Sequence, residues 1–183
     1  NSSERPGLVH RIDKDTSGLL MISKKRSALK VLKQHFVDST IQKHYLCLAK
    51  GQPALNEQRI DAPLLRYTLA SGERRVKVDA QDPQAKESQT DIIVHGRFTL
   101  NDQPVSLLEA KPLTGRTHQI RVHLAHIGHA ILGDDKYNVH DKSGVHRLCL
   151  HAWRLDIPGY EAITAPLPDE MMDWLPADIQ LPE

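Results

Sequence analysis

The stretch His10-Arg11-Ile12-Asp13-Lys14-Asp15-Thr16-Ser17-Gly18-Leu19-Leu20 sets charges and hydroxyls directly before an apolar run, Gly18 to Ile22. Such a run reads as a buried strand, extended here over Gly18 to Lys24. Polar residues gathered at the end of a strand mark a place where chemistry is staged on a rigid element. Asp13 alone would read as a turn residue. Its neighbours Arg11, Lys14, Asp15, Thr16 and Ser17 supply more charge and more donors than a turn requires. A carboxylate acting as nucleophile must be ionised near neutral pH while partly shielded from water, and a nearby cation favours that form.

Outward from this stretch, Ser27 predicts an N-cap for a helix to about Val37, with Leu29, Leu32 and Phe36 on one face. Ile41 to Lys50 reads as a strand in which His44, Leu46 and Leu48 alternate with Lys43, Tyr45 and Cys47. Asn56 to Gly72 reads as a strand start followed by an excursion, and Glu73 to Val78 as a short basic strand. Ser88 to Arg97 and Val105 to Ala110 form a hairpin about Asn101-Asp102. Thr117 predicts the cap of a helix to about Ile127, ended by Gly128, with Ile120, Leu124 and Ile127 as its buried stripe. Gly133-Asp134-Asp135 turns, Tyr137 to Gly144 is a polar loop, Leu148 to Leu155 a strand, and Asp169 to Leu175 a short helix. Residues 1–7 read as a loose lead-in. Strands outnumber helices and do not alternate with them, which predicts an α+β fold on a mainly antiparallel mixed sheet.

At 183 residues the chain is most simply one domain. No apolar run approaches the roughly 20 residues of a membrane span, and no charged-then-apolar leader pattern opens it. Cys47 and Cys149 sit in apolar strand-like runs without metal spacing, and read as buried thiols of a reducing, cytoplasmic compartment. The net charge of +1 is uninformative, but its distribution is not. From Leu20 to Lys50 the bases Lys24, Lys25, Arg26, Lys30, Lys33, Lys43 and Lys50 face one acid, Asp38; beyond Arg154 there is no Lys or Arg at all. One basic and one acidic end suit an anionic ligand on one face, although a solvated helix carrying Lys for solubility gives the same pattern.

Other chemistries fit less well. His118, His123, His126 and His129 lie close in sequence, but no His-Glu-x-x-His, carboxylate or Cys pair accompanies them, so no metal is expected. Gly-x-Ser-x-Gly is absent around Ser17, and neither a dinucleotide fingerprint nor a phosphate-binding loop is present. Cofactor-free chemistry is the better expectation. Arg121 lies close to the apolar stripe of its helix. A partly buried arginine usually has a carboxylate partner, whereas one on the rim needs none. Tyr45, as bare sequence, is more often core than catalyst.

The opening stretch closely resembles the HR-(Leu/Ile)-D-x-x-TSG signature of the RluA family of pseudouridine synthases, and Gly115-Arg116-Thr117-His118-Gln119-Ile120-Arg121 resembles its second motif. Lys43-His44-Tyr45 is similar to its Lys-x-Tyr element. Ala62-Pro63-Leu64-Leu65, Gly133-Asp134-Asp135-Lys136-Tyr137 and Ala165-Pro166-Leu167-Pro168-Asp169-Glu170 resemble the RluC-like branch. The resemblance implies the pseudouridine synthase catalytic fold and cofactor-free isomerisation of uridines in large-subunit (23S) ribosomal RNA, by a monomer. It implies Asp13 as the catalytic carboxylate, Arg121 as its partner and Tyr45 as the residue that packs on the flipped base and carries a proton. Arg11 would fill the space that the base vacates. The expected RNA contacts are His10, Arg11, Thr16, Lys24, Arg26, Lys77, Arg116, Thr117, His118 and Gln119. Family members also carry an Asn-Lys-Pro-x-Gly strand segment before the signature, and often an S4-type RNA-binding domain. Neither precedes His10 here, so the expectation is a shortened catalytic domain of reduced stability. A catalytically inactive RNA-binding fragment is the alternative from another class.

Overall fold

The computed structural model describes residues 7–182; of the expected lead-in, only Gly7 falls within that range. The elements run in the order β1 (Ser17–Gly18), α1 (Arg26–Val37), β2 (Gln42–Lys50), β3 (Glu57–Asp61), β4 (Leu64–Thr68), β5 (Arg74–Val78), β6 (Gln89–Leu100), β7 (Gln103–Pro112), α2 (Gln119–His126), β8 (Leu150–Asp156), β9 (Ile163–Thr164) and α3 (Asp169–Met172). A seven-stranded sheet has the order β1-β8-β2-β7-β6-β3, with β9 also on β8; β4 and β5 form a separate two-stranded arm. Among the described residues only the β1–β8 pair is parallel. The fold is α+β on a mixed, mainly antiparallel sheet. No helix of the described residues is long and apolar enough to cross a membrane.

Strand alternation fixes what each face meets. Thr90, Ile92, Ala110 and Tyr45 share one face through the registers Tyr45↔Ala110↔Ile92 and Thr90↔Pro112. That face receives α2, whose His123 Nδ1 lies 2.8 Å from Thr90 Oγ1. Leu46, Leu48 and Leu107 share the other, which the C-terminal segment covers with Leu167, Met171, Trp174 and Ile179. A Cβ on Gly96 would come within 2.5 Å of Ile179, so the segment lies directly on the sheet. The β6–β7 hairpin turns at Asn101-Asp102, both at positive φ (48° and 60°), as a tight two-residue connection between twisted strands needs.

The back face carries a polar group that the sequence did not suggest. Glu109, 5% exposed, lies 2.7 Å from both His44 Nδ1 and His95 Nε2, and His44 Nε2 lies 2.8 Å from Asp156. Burial alone would raise the Glu109 carboxyl. The hydrogen bonds from His44 and His95, with the Lys111 ammonium, outweigh it and hold it well below the carboxylate range.

Three sequence expectations are corrected. Gly18 to Lys24 is not a buried strand: only Ser17–Gly18 pairs with β8, while Leu20 and Ile22 are 45% and 63% exposed. Leu19 and Met21 turn instead onto Leu32 and Phe36 of α1, around Ile41, Leu155 and Ile157. The apolar run is an edge with one covered side. Ser27 does not cap α1, because Lys25 takes that position in extended backbone with no side-chain cap. Nor does Thr117 cap α2: His118 does so in left-handed backbone (φ 53°), also without a side-chain cap. The excursion after Asn56 resolves into β3 and β4.

Candidate active site

The 10–16 loop is pinned before it reaches Asp13. His10 Nε2 accepts the Met21 amide at 2.9 Å, and its ring stacks on Phe36 with centroids 4.6 Å apart. Accepting that hydrogen requires an unprotonated nitrogen. Burial, then the charge of Lys43, pushes the imidazole down to about 4, which keeps it neutral. Arg11 Nη2 donates to Thr117 Oγ1 at 3.0 Å, tying the loop to the segment that leads into α2. The Thr16 amide donates to the Asp13 carbonyl at 3.1 Å, closing a turn that leaves the Asp13 carboxylate facing a cleft. Gly18 must follow: its φ is +104°, and a Cβ there would sit 2.1 Å from the Ala152 carbonyl of β8.

Behind the floor of the cleft lies the buried guanidinium of Arg121, its side chain 5% exposed. Nε and Nη2 donate to the two Asp134 oxygens at 2.8 and 2.7 Å, a bidentate fork. Nη1 remains for Asp13 Oδ2, at 3.5 Å. Burial works against the guanidinium's charge; Asp134, and then Asp13, more than offset it and raise its pKa. Asp134 is itself locked, because Oδ1 also accepts the amides of Lys136 and Tyr137 at 2.9 and 3.1 Å. The Gly133 turn that delivers it has φ +71°, and a Cβ would meet the Arg147 carbonyl at 1.8 Å.

Tyr137 completes the support. Its ring lies under the Arg121 guanidinium, 5.3 Å from carbon to centroid, and its hydroxyl accepts the Val76 amide at 3.1 Å. The same hydroxyl is 2.7 Å from His118 Nδ1. Burial first pushes the phenol up to about 12 and the imidazole of His118 down, so the phenol is the donor and Nδ1 the acceptor. Arg75 Nη1 donates to the Lys136 carbonyl, and Lys136 pairs with Glu73. The β4–β5 arm is thereby joined to the loop that fixes Arg121.

Tyr45, on β2, lines the same cleft of about 840 Å³ as Asp13. Burial, with Asp13's charge second, pushes its hydroxyl up to about 12, so near neutral pH it is a phenol that can donate a proton and present a ring face.

The structure brings most of the sequence-derived residues together. His10, Arg11, Asp13, Thr16, Tyr45, Arg116, Thr117, His118 and Gln119 line the cleft, with Arg121 behind its floor. Three do not join them. Lys24 and Arg26 flank the exposed start of α1, and Lys77 pairs with Asp79 at 2.8 Å over the Tyr67 ring. Gln119 and His10 serve the protein's own loops. Gln119 is 4% exposed and bonds Thr114, Arg116, Gln89 and Thr90, which makes it a fastener of the 114–119 loop. His10 holds its own loop as described. Asp134 and Tyr137 are not among the site residues expected from sequence; Gly133-Asp134-Asp135 reads there as a turn and Tyr137 as the start of a polar loop, and their one signal is the resemblance of Gly133-Asp134-Asp135-Lys136-Tyr137 to the RluC-like branch. His123, one of the clustered histidines, is used on both nitrogens, by Thr90 and the Ala62 carbonyl.

A mixed sheet thus carries a carboxylate beside a fork-held arginine, with a protonated tyrosine in the same open cleft, the groups of an acid–base or nucleophilic site. The RNA pseudouridylate synthase family matches residues 1–126, and this chain belongs to it. Ribosomal large subunit pseudouridine synthase C of Yersinia pestis is 45% identical over 151 residues, 79% of this chain and 45% of that protein. The protein of that name from Escherichia coli K12 is 42% identical over 153 residues, again 79% of this chain and 46% of that protein. The chain spans about half the length of these curated relatives. Among solved structures, human RNA pseudouridylate synthase domain containing 1 superposes with TM-score 0.83 at 29% identity, covering 96% of this chain and 76% of the human one.

Proposed function

We propose that this chain is the catalytic domain of an enzyme that isomerises uridine to pseudouridine in large-subunit ribosomal RNA, as a cytoplasmic monomer. The observation that carries the reading is the Asp13 carboxylate facing the cleft 3.5 Å from an arginine whose other two nitrogens are held by Asp134. The names of the relatives, ribosomal large subunit pseudouridine synthase C, supply the substrate class.

The reaction begins when the target uridine leaves its stack and enters the cleft, with Arg11 at the mouth beside Thr117. The N1–C1′ bond breaks, the uracil rotates, a C5–C1′ bond forms, and the C5 proton leaves for water while N1 takes one up. Three routes use the same Asp13 carboxylate: attack on the sugar, attack on the base, or removal of a ribose proton. In each, Arg121 fixes the approach of the carboxylate by position and charge. Tyr45 presents a ring to the base and a hydroxyl for the proton movement.

The test is tritium release from large-subunit RNA labelled at uracil C5. The expected result is release by the chain and none by Asp13→Asn, whose RNA binding is nearly unchanged. Release by Asp13→Asn would remove the carboxylate from the mechanism. No release by either, with salt-sensitive RNA binding retained, would favour a binding fragment.

A further inference from the structure

Lys43 stands on β2 two residues before Tyr45, and its side chain lines the cleft. Its ammonium reaches towards the 113–118 loop: a Cβ on Gly115 would lie 3.6 Å from Nζ. The side chain is half-buried. Among the described residues the Lys43 side chain makes no hydrogen bond or ion pair, in contrast to the other cations drawn into the cleft wall. Arg121 has Asp134 and Asp13, Arg11 has the Thr117 hydroxyl, and Arg116 Nε has the Glu87 carbonyl. Lys14 and Lys33 also line the cleft without partners, but both are exposed and water satisfies them.

An ammonium withdrawn from water without a counter-charge is costly to hold, and folded proteins rarely leave one so. Burial alone drives its pKa down, and no carboxylate offsets the loss. The counter-charge that suits such an ammonium is an anion, and the anion repeated along any RNA is the phosphodiester. Lys43 stands at the cleft wall beside the 113–118 loop, two residues along β2 from Tyr45, within reach of the backbone of a nucleotide whose base lies against Tyr45. We infer that Lys43 is the phosphate anchor of the flipped nucleotide, pairing with one non-bridging oxygen of a phosphate that flanks the target uridine. This rests on the pseudouridine synthase reading and adds a residue and a ligand group to it.

The experiment is a double-mutant cycle between side chain and substrate. A short RNA hairpin containing the target uridine is prepared with single neutral methylphosphonates at the phosphates flanking it. Each is assayed for kcat, KM and Kd with the unsubstituted protein, Lys43→Met and Lys43→Arg. Lys43→Met keeps the packing of the stem and removes the charge. The expected result is a KM and Kd raised about tenfold with kcat within twofold, and a salt slope shallower by about one phosphate. Lys43→Arg restores most of the loss. One methylphosphonate position raises the unsubstituted protein's KM by the same factor and adds nothing to Lys43→Met. Additive losses at every position would overturn the inference. So would a fall in kcat at unchanged KM, which would place the ammonium on the departing uracil. If Lys43→Met does not fold, Lys43→Gln takes its place in the same cycle. Absence of turnover by the unsubstituted protein would sink the reading beneath, while the cycle remains readable from Kd.

Discussion

Arg121 illustrates how one side chain is made to serve another. Two of its three nitrogens are held by Asp134, so the third faces Asp13 in a fixed orientation. Asp134→Asn removes one partner of a buried ion pair and is expected to cost about 3 kcal/mol of stability. Loss of aim at Asp13 is expected to lower turnover about 100-fold; urea unfolding and tritium release check the two effects separately. Tyr137→Phe keeps the ring under the guanidinium but cuts the link between Val76 and His118, an expected loss of about 1 kcal/mol in the same unfolding experiment. His10 makes the fold pH-sensitive. Its proton is taken up near pH 6.5 in the unfolded chain but only near 4 in the folded one. Stability is thus fully present above about pH 6.5 and declines as the pH falls towards 4, and His118, His123 and His151, lowered by burial first, add with the same sign. Unfolding midpoints measured between pH 7.5 and 4.5 are expected to fall, and His10→Gln to flatten part of that slope.

Among elements, the β6–β7 hairpin was legible because turn chemistry and strand alternation agree at Asn101-Asp102. The 18–24 segment departs from the expectation because an apolar run reports covered side chains and not a place in the sheet: Leu19 and Met21 pack on α1, and among the described residues the backbone pairs only with residues 7–9 and the start of β8. The helix caps were illegible for a different reason. The Thr117 hydroxyl is taken by Arg11, 106 residues away, a competition that no local pattern contains. Likewise Asp13, Tyr45 and Arg121 could be singled out from short motifs, but Asp134 and Tyr137 lie in a loop without periodicity and gain meaning only from the guanidinium they hold. Two predictions belong to this scale. Gly18→Ala forces a methyl against the Ala152 carbonyl at positive φ and is expected to destabilise by about 2 kcal/mol or more, read by thermal melting. Lys25→Asn gives α1 the cap it lacks and is expected to add up to about 1 kcal/mol.

For the whole molecule, RNA binding by the cationic cleft and the neighbouring groove under the β4–β5 arm should be strongly salt-dependent. That groove, of about 870 Å³, is lined by Arg66, Arg74, Lys86 and Arg116 among others. Neutralising three or four phosphates of a single strand implies a loss of affinity on the order of 30-fold between 50 and 200 mM salt, measurable by filter binding. The fork on Arg121 has one more consequence. Asp13, Asp134 and, at its exposed rim, Asp135 all pair with a single guanidinium, so by formal charge the floor of the cleft is left negative, while its walls carry Arg11, Lys14, Lys33, Lys43 and Arg116. The cleft is thus a concentric electrostatic sieve, repelling anions at its centre and gathering them at its margin. A molecule fits both zones only if an uncharged ring projects from a charged backbone. Under the proposed function, the floor that positions the carboxylate also sets the polarity of entry: a nucleotide is seated ring first, and a phosphate that strays inward is turned back.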